Sequence, residues 1–181
     1  MKYLTKLSNL QDYSIGEAHQ YFEMILYTSV CFFIPMFIGH PQIAVGIAVN
    51  AAIIVAALNL KGYKILPVII APSLGALSRG VLFGPFTVYL VYMIPFIWIG
   101  NSILLFSFKL FKLKLKKNYL TTLVLGAGMK SGFLFLSAYI LYSLSIIPAI
   151  FLTAMGIMQL ATALGGGIPA YLAQKAKKNL Y

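Results

Sequence analysis

Lys130 lies near the middle of Leu120 to Leu144, an apolar run long enough to cross a bilayer. A lysine at the centre of a membrane helix costs about 2.5–3.5 kcal/mol on insertion scales, so it faces a bundle interior or a water-filled cavity rather than lipid. That residue constrains the fold more than any other, because it demands helices around the run and an acceptor for its ammonium. Gly126, Ala127, Gly128 and Gly132 are small neighbours that suit such packing. Gly128 and Gly132 have the spacing at which membrane helices approach closely.

The rest of the chain agrees. Of its 181 residues 61% are hydrophobic and 9% charged, against about 25% charged in an ordinary soluble domain, so the class is an integral membrane protein. Its net charge of +11 does not argue for nucleic acid, since the fourteen Lys and Arg are dispersed among apolar runs and form no soluble basic face. Cys31, the one cysteine, falls in an apolar run and reads as core. Met1 to Tyr13 continues through the polar Ser8-Asn9-Leu10-Gln11-Asp12, which is no signal-peptide apolar region, and is expected to be retained.

The pattern predicts an all-α integral membrane protein, a compact bundle of six transmembrane helices forming one domain over 1–181. Its spans are expected at about 17–38, 41–60, 66–82, 86–108, 120–144 and 148–172. Gly39-His40-Pro41, Lys61 to Lys64, Gly84-Pro85 and the stretch around Ser145 break the runs. The third run, interrupted by Pro72, Gly75 and Gly80, is the one expected to be kinked or partly unwound, by a plain proline kink or beside a binding site. Lys109 to Lys117 reads as a topology-setting basic loop, with a surface-lying amphipathic stretch or a docking surface as the alternatives. Lysines cluster before span one, between two and three, between four and five, and after six. By the positive-inside rule both termini are cytoplasmic, and the loops near His40, Gly84 and Ser145 face outward. Arg79, on the outer side, is the exception.

Candidate site residues follow from depth. At about 1.5 Å per residue, Lys130 and Gln159 each lie about three turns into their spans, near the midplane, and Asn50 also falls near that depth. Asn101 is nearer the cytoplasm, and Trp98 shares its span. Such amides commonly bond helix to helix, at roughly 0.6 kcal/mol each, whereas a buried lysine points to function. The outer half of spans three to five adds Arg79, Tyr92 and Ser137, with Tyr89, Phe96, Tyr139 and Tyr142. These suit an anionic or aromatic small molecule, although tyrosines at this depth also form interfacial belts. Ser137 is two turns from Lys130 on the same face. His19 and Glu23 share a face near the start of span one, where a weak metal site, a proton relay or a Glu23 pairing with Lys130 or another lysine are all open. No cofactor or metal is expected. Neither is enzyme chemistry, since the sequence holds no Gly-x-Ser-x-Gly, no His-Glu-x-x-His, no P-loop and only three acids.

Val49-Asn50-Ala51-Ala52, Ala71-Pro72-Ser73-Leu74-Gly75-Ala76, Ile94-Pro95-Phe96 followed by Gly100-Asn101, and Gln159 with Gly165-Gly166 resemble the substrate-binding S components of energy-coupling factor (ECF) vitamin transporters. The resemblance covers nearly the whole chain. It implies a six-helix protein of a prokaryotic plasma membrane that captures a vitamin-like molecule on the outer side. Its implied partners are a transmembrane coupling subunit and two ATPase subunits. S components often carry an Ala-x-x-x-Ala surface on the first span, which is absent here. Ala44, Ala48, Ala52 and Ala56 form such a ridge on span two instead, for docking or for internal packing. The alternative reading is a structural or assembly subunit of a membrane complex with no ligand of its own.

Overall fold

The computed structural model describes residues 2–12, 16–38, 40–80 and 86–178. Helix is the only regular structure among them: α1 (Lys2–Ser8), α2 (Glu17–Phe37), α3 (Gln42–Asn59), a 3-10 turn at Gly62–Ile65, α4 (Leu66–Arg79), α5 (Thr87–Ser107), which runs on as a π-helix over Phe108–Lys114, α6 (Tyr119–Ser143), α7 (Ile150–Met155) and α8 (Ile157–Lys178). Five helical stretches are long and apolar enough to cross a membrane. This is a multi-pass helical protein.

Expected and observed boundaries agree to within a few residues for α2, α3 and α6. Three differences are informative. The third expected span is a helix of 14 residues, about 21 Å long and short of the roughly 30 Å hydrocarbon core. It stays helical through Pro72 and stops where Gly80 takes a left-handed φ of 72°. Its expected end at Leu82, the hairpin at Gly84-Pro85, and Gly39 of the first break lie outside the described residues. The interruption falls instead in the sixth span, where Gly156, at φ −93° and ψ −101°, separates α7 from α8. Lys109 to Lys114, expected as loop, is helical, because α5 continues without a cap and Lys109 is drawn inside.

Helix α3 is the central element, buried along most of its length, and packs most extensively against α8. Glycines make that contact close. A Cβ on Gly46 would stand 2.6 Å from the Thr162 side chain, and one on Gly166 2.8–2.9 Å from Asn50 Cβ, Ala51 N and Ile47 O. Helix α2 meets α4 in the same way, with the Gly75 position against the Phe32 carbonyl. Ala52 and Ala56 are buried in the core, so the half of the alanine ridge toward the C-terminal end of α3 packs internally, while Ala44 is exposed. Gly128 and Gly132, expected to receive a neighbouring helix, are exposed with nothing within 4 Å. They lie on the α6 face opposite Lys130, and Gly126 is the glycine packed against α5, at Ser107 and Leu104.

The lysine-rich end is tied together by side chains. Lys109 is fully buried and donates to the carbonyls of Leu10 (2.6 Å) and Leu60 (2.8 Å), joining the N-terminal segment to the end of α3. Lys64 pairs with Glu17, Lys177 with Glu23, and Gln174 donates to Asp12 at 2.7 Å. Thus α1 and the C-terminal end of α8 share one end of the bundle. The ends of α2 and α4 at Phe37 and Arg79 lie at the other.

Candidate functional site

Asn50 is held in one orientation by the α3–α8 contact. Its Nδ2 donates to the Gly46 carbonyl (2.9 Å) and to Thr162 Oγ1 (3.2 Å), and the Thr162 hydroxyl donates onward to the Met158 carbonyl (2.8 Å). With both amide hydrogens committed, Oδ1 is left to accept, and Lys130 Nζ donates to it at 2.6 Å. Lys130 is 2% exposed. An ammonium carries three donors, and the described residues supply this one acceptor.

Glu23 does not reach Lys130. It accepts from Lys177 and from Tyr27 (3.1 Å) and lies 3.5 Å from His19 Nε2, at the lysine-rich end. Asp12 and Glu17 are engaged there too, so all three acids of the chain are occupied away from Lys130. That geometry also makes the His19–Glu23 pair part of an ion-pair cluster.

Beside Lys130 opens a cavity in which the space available to the centres of water molecules is about 110 Å³. One water needs about 10–15 Å³ by that measure, so there is room for several waters or a small solute. Of the candidate residues, Lys130, Asn50, Gln159 and Asn101 all line it. The Asn101 amide donates to the Ile69 carbonyl (3.0 Å), and Ser73 Oγ to that of Ile70 (3.0 Å). Both acceptors lie in the turn before Pro72. Gln159 is half-buried, and its side chain makes no hydrogen bond among the described residues.

The other four stand elsewhere. Arg79 donates to the Phe37 (2.8 Å) and Met36 (3.4 Å) carbonyls, capping the negative end of α2, which explains a cation at the end opposite the lysines without a ligand. Ser137 is buried, and its hydroxyl turns back to the Phe133 carbonyl at 2.9 Å. Tyr92 is 54% exposed, and Tyr139 and Tyr142 also face outward. These belong to the bundle surface, because the halves of α5 and α6 away from the lysine-rich end pack through Met93, Ile97, Leu134 and Ala138. Trp98 acts at one remove: its Nε1 donates to Ser73 Oγ (2.7 Å), and Ser73 lines the cavity.

Sequence reasoning missed Thr162, Ser73, Gln42, Met155 and Met158 as cavity residues. A signal existed for some of them. Gln42, Gly46 and Asn50 recur at four-residue spacing, and Gln159, Thr162 and Gly166 at three and four, each set one stripe of a helix. Ser73 had none, since its place depends on how α4 crosses α5. Comparison with known proteins adds nothing to this geometry: no protein-family model, curated protein or solved structure matches the chain.

Proposed function

We propose that this chain is the substrate-binding membrane subunit of an importer of the energy-coupling-factor type. In this reading it captures a vitamin-like small molecule from the extracellular side of a prokaryotic plasma membrane. The observation that carries the reading is the cavity beside Lys130. A buried ammonium with a neutral amide as its one described acceptor lines a space large enough for a solute. Intramembrane charges are retained where they serve a site, and a bound anion or carbonyl supplies the acceptors the chain lacks. The break at Gly156, flanked by the cavity residues Met155 and Met158, supports it, since interrupted membrane helices recur beside transporter sites.

On this reading α4 completes a bundle of six spans, the lysine-rich end with both termini is cytoplasmic, and the cavity loads from the opposite side. The chain catalyses nothing. A transmembrane coupling subunit and two ATPase subunits supply the energy, because the sequence holds no P-loop. Native mass spectrometry of gently purified protein tests the proposal. A co-purified small molecule, lost on Lys130→Met, is the expected result. A spectrum with no bound molecule but a stoichiometric membrane partner would replace it with the assembly-subunit reading.

A further inference from the structure

Resting on that reading, we infer that the cavity selects an aliphatic monocarboxylate with an amide or hydroxyl group further along its chain, and not an aromatic or cationic solute. Three observations converge. The charged group in the cavity is Lys130, and no carboxylate among the described residues lines it, so a negative ligand is matched and a cation is opposed. Its walls are aliphatic and thioether side chains, among them Val49, Leu90, Ile97, Met155 and Met158, and no lining residue is aromatic. A flat ring would find no stacking partner there, whereas flexible thioethers adapt to a bent chain.

The third observation is a second polar pole. Gln42 and Gln159 line the cavity, both half-buried, and neither side chain is hydrogen-bonded among the described residues. Gln159 lies about one turn from Thr162, and Gln42 two turns before Asn50, so these amides stand about 5 to 12 Å along the helix axes from the Lys130–Asn50 level. A carboxylate at Lys130 therefore leaves a hydrogen-bonding group on the far part of the molecule within their reach. The available space corresponds to a solute on the order of ten non-hydrogen atoms.

Calorimetric titration of the full chain in nanodiscs tests the ligand class with three soluble probes. These are N-acetyl-4-aminobutyrate, the near-isosteric cation N-acetyl-1,4-diaminobutane, and benzoate. The first is expected to bind at least about thirtyfold more tightly than the second, and more tightly than benzoate. Lys130→Met should abolish the discrimination between the first two. Gln159→Leu, which breaks no side-chain hydrogen bond among the described residues, should weaken the first by about two- to tenfold and leave benzoate unchanged. Benzoate or the cation binding as well as N-acetyl-4-aminobutyrate overturns the ligand class and leaves the binding-subunit reading standing. So does failure of all three probes alongside a different molecule in the native mass spectrum. Failure of all three with an empty spectrum removes both.

Discussion

With Glu23 committed to Lys177 and Tyr27, the ammonium of Lys130 depends on Asn50 and on what enters the cavity. Replacing Lys130 with Met leaves Asn50 Oδ1 without its donor but strands no carboxylate. The expected loss of stability is about 1–3 kcal/mol, read as a lower melting temperature, and adding Glu23→Gln should restore none of it. The opposite holds at the lysine-rich end. Glu23 is 3% exposed, so Lys177→Met leaves a buried carboxylate short of its cation and should cost about 3 kcal/mol. Glu23→Gln in the same chain should recover most of that. Thermal melts of the two singles and the double distinguish these arrangements. Rescue of Lys130→Met by Glu23→Gln would contradict the observed pairing.

Between elements, glycine position decides what each helix contact tolerates. At Gly166 an added methyl meets Ala51 N and Ile47 O, backbone atoms that cannot turn aside, so α8 must move off α3. Gly166→Ala is therefore expected to destabilise the protein by about 1–3 kcal/mol. It should also weaken ligand binding, because Thr162 holds Asn50 only across that contact. Gly128→Ala and Gly132→Ala meet nothing and replace glycine within a helix, which favours the folded chain by up to about 1 kcal/mol. Melting temperatures of the three variants measured together check the contrast. A stability loss at Gly128 would mean that this face of α6 is covered.

For the molecule as a whole, the distribution of lysines makes a topological prediction. Cysteine placed at Lys117 or Lys175, both exposed at the lysine-rich end, in a Cys31→Ser background should resist an impermeant thiol reagent in intact cells and react after permeabilisation. Labelling in intact cells would reverse the orientation and with it the side from which the cavity loads.

The sequence by itself determined the membrane class, most helix boundaries and the inward-facing lysine. Those follow from local quantities: run length against bilayer thickness, and the cost of a charge in hydrocarbon. Asn50 and Gln159 were legible as polar residues at the depth of Lys130, and Asn101 as a polar residue nearer the lysine-rich end. Which of them share a cavity was not, because depth leaves rotation about each helix axis undetermined. Arg79 and Ser137 show the consequence: one caps α2 and the other turns back on its own helix, and both carry the chemistry of a site residue without the place. Only tertiary packing decided that Glu23 answers Lys177, that Gly128 and Gly132 face away from the bundle, and that the sixth apolar run breaks at Gly156. Each outcome depends on which helix faces approach, and glycines distant in sequence, at 46, 75 and 166, set those approaches.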